Sequence, residues 1–394
     1  MAGIYIHIPF CKSRCKYCDF FSTTHLEKQS QYVQALLMEI QDRLPISNTQ
    51  YPIPNSQYSI ANNPYPISTI YIGGGTPSTL QVRHLQAIVE AIRREAKGES
   101  APQKSADFSG TPQARGEEIE ITLEANPGDI TEKKVRAWRE MGINRLSIGI
   151  QSFHDELLQL IGRRHNAEQA RRAVATAQAA GFDNISIDLM YALPSQTMEM
   201  WKMDVAEALK LGVQHVSTYG LIYEEGTALT TLLDHGVVEA VDEDTEMQMY
   251  DYIVAELTAH GYIHYEVSNF ALPNRESQHN SSYWNDTPYI GLGAGAHSYD
   301  GQCRSWNISD LDSYIEQANA HQLQPETERL TDEQRHTERV MLSLRTNKGV
   351  AMEDIDNNKA QPYIQQGLLQ QIDTRLVATT KGFHILNRII EDLV

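Results

Sequence analysis

Residues 5–20 read Tyr-Ile-His-Ile-Pro-Phe-Cys-Lys-Ser-Arg-Cys-Lys-Tyr-Cys-Asp-Phe, with Cys11, Cys15 and Cys18 spaced C-x3-C-x2-C. The apolar run before the first cysteine predicts a short strand that leads into a cysteine loop. Three thiolates on one loop can converge on one metal centre, whereas a disulfide would use two and leave the third unpaired. The stretch therefore predicts a metal site rather than a disulfide framework.

An iron–sulfur cluster fits this spacing better than a single ion. A cubane cluster is normally held by four cysteine thiolates, and the only other cysteine, Cys303, lies far along the chain. Three local thiolates would therefore leave one iron open for a ligand. The basic residues between the cysteines favour the thiolate form that binds metal. Structural zinc, with His7 or His25 as the fourth ligand, is the alternative, although such sites usually combine two separated cysteine pairs.

The composition is that of an ordinary globular protein, with 41% hydrophobic and 21% charged residues among 394. The net charge is −18, from 33 basic and 51 acidic residues, which disfavours broad electrostatic binding to nucleic acid. No apolar run approaches the ~20 residues of a membrane-spanning helix, and no signal peptide precedes the cysteines. We therefore expect a cytoplasmic protein in a reducing compartment, with no nucleic-acid partner and no transmembrane segment.

Short apolar runs alternate with amphipathic helical patterns, which predicts an α/β fold with a parallel sheet. Six or more consecutive βα units favour a TIM-like (β/α)6 barrel, complete or partial. The predicted strands are Ile4–Ile8, Thr69–Ile72, Ile119–Leu123, Arg145–Ile150, Ile185–Met190 and Val216–Leu221.

Three domain ranges follow from this pattern: a barrel core over 1–235, an extension over 236–325 and a C-terminal domain over 326–394. Segments 45–68 and 97–116 carry no helical or strand pattern and are predicted to be loose insertions. The C-terminal domain is predicted to be mostly helical and winged-helix-like. Its last helix should cover Gly382–Leu393, with Thr380 as the N-cap.

Polar residues recur where the predicted strands end. In a βα barrel the working side chains lie at this carboxyl-terminal face. Gly73-Gly-Gly-Thr-Pro77 follows strand two, and Glu124, Gln151, Asp188 and Tyr219 follow or end the next four strands. Their shared location predicts a ligand site in which glycines let the ligand approach the backbone.

These motifs resemble the radical S-adenosylmethionine (SAM) superfamily, in which the open iron chelates the amino and carboxylate groups of SAM. The wider set is similar to oxygen-independent coproporphyrinogen III oxidase-like proteins. Its further motifs include Leu123-Glu-Ala-Asn-Pro127, Gly149-Ile-Gln-Ser-Phe153 and Asp188-Leu-Met-Tyr-Ala-Leu-Pro194. The resemblance implies a [4Fe-4S] cluster on Cys11, Cys15 and Cys18. It also implies a SAM pocket formed by Tyr5, Tyr17, Gly74, Gly75, Thr76, Glu124, Gln151, Arg163 and Asp188.

Within that family, the chain is similar to the haem-chaperone branch. The coproporphyrinogen dehydrogenases carry a longer N-terminal arm and a further cysteine at the position of Phe20. The segment His279-Asn280-x-x-Tyr283-Trp284 is the mark of the chaperone branch, and the resemblance implies that it binds haem. His279 is then the predicted iron ligand, with Cys303 and His297 as alternatives. A hydrogen-bonded turn histidine beside a core Tyr-Trp pair is the competing interpretation.

Three functions remain open from the sequence. The first is a haem chaperone that delivers haem to apo-haemoproteins, which the resemblance implies are respiratory haem enzymes. The second is a radical SAM coproporphyrinogen III dehydrogenase, which abstracts hydrogen with a deoxyadenosyl radical. The third is a structural zinc protein. A reductant for the cluster and a homodimer are further expectations.

Overall fold

The computed structural model describes residues 2–44, 67–97 and 119–394. The predicted insertions at 45–68 and 97–116 lie outside these ranges except at their margins. There Ile67 begins a strand and Lys97 ends a helix. No helix in the described ranges is both long enough and apolar enough to cross a membrane.

Six parallel strands form the centre of the fold and follow one another across the sheet in sequence order. Each coincides with a predicted strand, which confirms the partial (β/α)6 arrangement. The strands are β1 Ala2–Ile8, β2 Ile67–Gly74, β3 Glu120–Ala125, β4 Arg145–Gln151, β5 Ile185–Tyr191 and β6 His215–Gly220.

Helices connect these strands and cover the outer face of the sheet. Several begin at a side-chain cap, such as Asn166, whose Oδ1 accepts from the backbone N–H of Gln169 at 2.8 Å. The helices are α1 Gln29–Arg43, α2 Val82–Lys97, α3 Glu132–Glu140, α4 Asp155–Leu160, α5 Ala167–Ala179, α6 Met198–Leu211, α7 Ala228–Asp234 and α8 Glu243–Ala259.

The sheet continues beyond both ends of the six-stranded core and stays open. The full order is β12-β11-β10-β9-β1-β2-β3-β4-β5-β6-β8-β7. Beside β6 lie β8 Asn269–Ala271 and β7 Ile263–Glu266, and beside β1 lie β9 Tyr289–Leu292, β10 His297–Tyr299, β11 Cys303–Trp306 and β12 Glu326–Arg329. We call β9–β12 the sheet extension. Helices α9 Gln278–Tyr283 and α10 Leu311–Asn319 connect these outer strands.

The two faces of the sheet differ because successive side chains of a strand point to opposite sides. On β1, Ile4, Ile6 and Ile8 are completely buried in the main hydrophobic core, with side chains of α1 and α2. Tyr5 and His7 point to the other side, the inner face, which is lined largely by polar groups. The candidate site lies on this inner face.

The C-terminal module has a hydrophobic core of its own and a three-stranded sheet. It comprises α11 Asp332–Leu344, β13 Val350–Ala351, α12 Asn357–Gln365, β14 Leu369–Ile372, β15 Arg375–Ala378, α13 Thr380–Phe383 and α14 Leu386–Leu393. Strand β12 pairs with β11 in the large sheet, so the predicted boundary at residue 326 falls inside that sheet.

The predicted last helix is wrong in two respects. It is broken into α13 and α14, because Ile385 leaves the helical conformation at φ −124° and ψ 26°. Its cap is Thr379 rather than Thr380, since the Thr379 hydroxyl accepts from the backbone N–H of Gly382 at 3.1 Å.

Candidate functional site

The cysteine loop leaves β1 and is closed by backbone hydrogen bonds. The N–H of Cys11 donates to the carbonyl of Thr23 at 2.8 Å, and the N–H of Thr23 donates back to Pro9 at 2.6 Å. The N–H of Lys16 donates to the carbonyl of Ile161 at 3.0 Å, which fixes the middle of the loop against the end of α4. The fold therefore holds the loop at the carboxyl-terminal end of the parallel strands.

All three loop cysteines are free thiols on this inner face. Burial raises the pKa of Cys11 and of Cys18, and the neighbouring thiols raise both further. Arg163 Nη1 donates to the sulfur of Cys15 at 3.4 Å, and the Thr76 hydroxyl lies 3.4 Å from the sulfur of Cys11. Three clustered thiols are suited to a positively charged metal centre, which stabilises the thiolates.

The geometry of the cysteines bears on the kind of metal centre. In the described ranges, no three His, Cys, Asp or Glu side chains lie close enough together to hold one metal ion. A [4Fe-4S] cluster binds each thiolate to a different iron, so its ligands stand further apart than those of a single ion. The donor set of three thiols fits such a cluster, and membership of the family described below implies one.

The predicted basic environment is only partly present. Lys12 Nζ donates to Asp129 Oδ1 at 2.6 Å, so its charge is already paired. Arg163, which is distant in sequence, supplies the guanidinium that contacts a loop sulfur. Arg14, which lies between the cysteines in the chain, lowers the pKa of Cys18, so the charge around the thiols comes from both local and distant residues.

The glycine turn, residues 73–75 at the end of β2, requires glycine because other groups of the protein approach its backbone closely. A Cβ on Gly73 would lie 2.9 Å from Oε1 of Glu124, and one on Gly75 would lie 2.9 Å from the backbone carbon of Pro9. Gly74 adopts a φ of 110°, and a Cβ there would meet the ring of His7 at 2.7 Å. The three glycines let the end of β2 approach β1 and Glu124 closely.

Glu124 is held at the centre of the inner face by two donors. The Tyr71 hydroxyl donates to Oε1 at 2.8 Å, and the backbone N–H of Gly74 donates to Oε2 at 3.1 Å. Burial raises the pKa of Glu124 to about 7, against the effect of these hydrogen bonds and with a further contribution from Asp188. The carboxyl group is therefore poised to change charge near neutral pH.

Three predicted residues from different elements meet around Gly149. A Cβ on Gly149 would lie 3.0 Å from Nη2 of Arg163, 3.1 Å from Nε2 of Gln151 and 3.8 Å from Oδ2 of Asp188. Gln151 is buried and has a φ of 74°, in the left-handed region that a non-glycine residue seldom adopts. This backbone conformation at the end of β4 turns the Gln151 amide towards Arg163 and Asp188.

Asp188 and Arg163 each lie near oppositely charged groups, and each has polar atoms that could accept or donate a further hydrogen bond. Burial raises the pKa of Asp188, although the Ser147 hydroxyl donates to its Oδ1 at 3.2 Å. Arg163 donates to the carbonyl of Gly149, and its buried Nε has no partner in the described part of the chain. A polar ligand between the two could use both side chains.

The two predicted tyrosines come from β1, which holds Tyr5, and from the cysteine loop, which holds Tyr17. The Tyr5 hydroxyl donates to Nδ1 of His7 at 3.0 Å, because His7 Nε2 donates its own proton to the carbonyl of Phe21 at 3.0 Å. Tyr17 packs with the small apolar cluster that includes Leu157. Burial raises the pKa of Tyr17, while the nearby Arg163 lowers it. Both hydroxyls are therefore neutral near pH 7.

The predicted haem segment forms α9 and its end, and His279 is completely buried there. Its Nδ1 lies 2.8 Å from the Thr69 hydroxyl, and its Nε2 lies 2.8 Å from the Tyr283 hydroxyl. Its ring stacks on Tyr71 at 5.2 Å. Burial lowers the pKa of His279 to about 3. Both ring nitrogens have hydrogen-bond partners in this structure, and ligation of an iron by His279 stays a prediction.

The other residues of the segment are less enclosed. Asn280, Tyr283 and Trp284 are half-buried, and the ring of Tyr283 meets that of Tyr289 edge-on at 4.7 Å. A role in haem binding for these three stays a prediction.

Two inner-face residues were missed by sequence reasoning. Tyr71 holds Glu124, and its ring stacks on those of Tyr5 and His279. Arg145 is 1% exposed and has no carboxylate within ion-pair distance in the described ranges. The alternation of side chains along β2 and β4 could have placed both on the inner face, since Tyr71 is two residues before Gly73 and Arg145 is four before Gly149.

Comparison with known proteins finds matches along most of the chain. Residues 5–208 match the radical SAM superfamily, and residues 330–385 match the HemN C-terminal domain. A relative from Lactococcus lactis is named heme chaperone HemW. It is 35% identical, and the match covers 98% of this chain and 96% of the relative. A Bacillus subtilis protein of the same name is 36% identical, with 89% and 85% covered.

Among solved structures, coproporphyrinogen III oxidase (HemN) from Escherichia coli, a radical SAM enzyme, has a similar fold. The TM-score is 0.76 over 99% of this chain and 89% of that chain, at 23% identity. At that identity the likeness concerns the fold alone. The sequence relatives are closer and nearly full length. The chain therefore belongs to the radical SAM superfamily and, within it, to the HemW family.

Proposed function

We propose that this protein binds haem and transfers it to apo-haemoproteins, on a scaffold that holds a [4Fe-4S] cluster and SAM. The observation that carries the proposal is similarity over nearly the entire chain to relatives named heme chaperone. The alternative, coproporphyrinogen III dehydrogenase, has in its favour the HemN-like fold. Against it, the exposed Phe20 occupies the position of the further cysteine in the dehydrogenase pattern.

The residues that would hold the two cofactors are those predicted from the sequence. Cys11, Cys15 and Cys18 would bind three irons of the cluster. When bound, the cluster supplies an electron for reductive cleavage of SAM and a vacant iron for its amino and carboxylate groups.

The polar side chains next to the cluster loop would bind the rest of SAM. Glu124 would accept from the SAM ammonium or a hydroxyl, Asp188 from the ribose, and Arg163 would donate to the carboxylate. Gln151 would complete the polar lining. Tyr5, Tyr17, Gly74, Gly75 and Thr76 would form the walls of the pocket.

A transfer assay tests the proposal. Anoxically prepared protein with an assembled cluster is loaded with ferric haem, freed of excess haem and mixed with an apo-cytochrome. We expect haem absorbance to move to the recipient protein, which is separated by affinity tag. Haem that stays bound, or is never bound, would contradict the chaperone function.

A parallel reaction tests the enzyme alternative. The same protein is incubated anaerobically with coproporphyrinogen III, SAM and a reductant. Appearance of the divinyl product would establish the dehydrogenase instead. The predicted respiratory recipients, a reductant for the cluster, a homodimer and a cytoplasmic location remain predictions beside this main one.

A further inference from the structure

The inner face of the sheet extension carries four side chains suited to a flat anionic ligand. In the antiparallel pair of β10 and β11, His297 is opposite Trp306 and Tyr299 is opposite Arg304. Directly paired residues point to the same face of a sheet, and alternate residues of one strand do so as well. His297, Tyr299, Arg304 and Trp306 therefore share one face.

His297 offers a free imidazole at this place. Its side chain is exposed, and it makes no hydrogen bond with any residue in the described ranges. Its ring stacks beside that of Trp306, with centroids 5.8 Å apart and planes 24° apart. His279 differs in exposure and hydrogen bonding, being buried with both ring nitrogens bonded. Neutral imidazole is a common protein ligand of haem iron.

A cleft of about 350 Å³ between the sheet extension and α11 is lined by Tyr299 and Arg304 of this face. Its other lining residues include the apolar Tyr283, Tyr289 and Leu342 and the carboxylates of Asp286 and Glu338. Small-molecule sites in proteins commonly measure about 300–1,000 Å³ and are mostly apolar, with a few placed polar groups. The cleft has these properties, and Tyr283 belongs to the segment that the sequence singles out.

Arg304 brings a guanidinium, already paired with Glu338, to the lining of the cleft. Its Nη2 lies 2.8 Å from Oε2 of Glu338, and its side chain is 40% exposed. A guanidinium has five N–H donors, so one contact with a carboxylate leaves others for a second. The two propionates of haem are carboxylates of the kind that arginine binds.

We propose that haem lies on the inner face of β10 and β11, with His297 as an axial ligand of the iron and Arg304 at a propionate. The proposal rests on the haem-binding function proposed above. His297 and Arg304 are diagonal neighbours across the strand pair, which places their backbones about 7–8 Å apart. That separation is comparable with the distance between the iron of a haem and its propionate oxygens.

Titration of the full-length protein with ferric haem tests this placement. We expect the wild type to give the absorption and electron paramagnetic resonance spectra of an imidazole-ligated haem. His297→Ala should lose these features and recover them when free imidazole is added. His235→Ala is the matched control, because His235 is also exposed but lies at the end of α7. It should leave the spectra unchanged.

The role of Arg304 is tested with a chemically modified ligand. Arg304→Met should weaken haem binding about tenfold or more, the effect of losing one charge-assisted hydrogen bond. With haem whose propionates are esterified, the variant and the wild type should bind equally. Circular dichroism and thermal unfolding confirm that each variant is folded.

The outcomes separate the two proposals. If the wild type binds no haem, the haem-binding function itself fails. If the wild type binds haem and His297→Ala keeps the wild-type spectra, the placement is overturned while the function stands. Loss of the imidazole spectrum in folded His279→Ala, with His297→Ala unaffected, would assign the iron to His279 and also overturn the placement.

Discussion

The charge of Glu124 should control SAM binding near neutral pH. Its carboxyl group is buried beside Asp188, and its pKa is raised to about 7. In the proposed SAM pocket, Glu124 above that pH is an anion that would accept hydrogen bonds from the ammonium or a hydroxyl of SAM. Below that pH it carries a proton and loses its charge. SAM affinity should therefore rise with pH through this range.

The expected magnitude follows from the fraction of Glu124 that is ionised. A group with a pKa of about 7 is about nine-tenths ionised at pH 8 and about one-tenth ionised at pH 6. If only the anion binds SAM well, the affinity should fall about tenfold between these two values. Glu124→Gln keeps the shape without the charge. It should weaken binding at pH 8 by about ten- to one-hundredfold, since a hydrogen bond to a charged group contributes about 1.5–3 kcal/mol.

Calorimetric titration of the cluster-loaded protein with SAM under anoxic conditions measures both effects. SAM has a titrating amino group of its own, so the informative quantity is the ratio of wild-type to Glu124→Gln affinity at each pH. That ratio should rise about tenfold from pH 6 to pH 8. A constant ratio across this range would refute the assigned role of the Glu124 charge, even if SAM binds tightly.

Three further changes have clear expected results. The buried carboxylate of Glu39 accepts hydrogen bonds at 2.6–2.7 Å from Arg43, Gly293, Asn307 and Tyr314. Glu39→Ala should therefore lower the free energy of unfolding by about 3–5 kcal/mol, measured by urea titration. Cys11→Ser should abolish cluster absorbance after anoxic reconstitution, whereas Cys303→Ser in the sheet extension should retain it; equal loss in both would contradict the assignment. Gly75→Ala should weaken SAM binding, because its Cβ would meet backbone at 2.9 Å; unchanged affinity would contradict the close approach.

The sequence was sufficient for the parallel core because each strand there is a distinct apolar run between recognisable helices. It was also sufficient for the strand-end positions Gln151 and Asp188, which meet around Gly149, whereas Arg163, which joins them there, was expected mainly from the family resemblance. Residues that face each other from distant segments were less accessible. Nothing local in the sequence indicates that Tyr71 reaches Glu124 or that Arg163 reaches Cys15.

The sheet extension escaped prediction for a different reason. Its strands β10 and β11 have only three and four residues, too few for an alternating pattern to be distinguished from a loop. The sequence left the burial of His279 open, because a histidine ligand and a hydrogen-bonded core histidine have the same local sequence. Only the contacts with Thr69 and Tyr283 distinguish them.

Strand β1 connects the two proposed ligand sites physically. It pairs with β2 on one side and with β9 on the other, so it lies between the glycine turn and the sheet extension. Tyr5 stacks on Tyr71, whose hydroxyl holds Glu124, and the ring of His7 occupies the space behind Gly74. The turn also contacts Glu124 on β3, so movement of the turn on SAM binding would reach β3 as well as β1. A haem on β10 and β11 would be connected to the turn through β9 and β1.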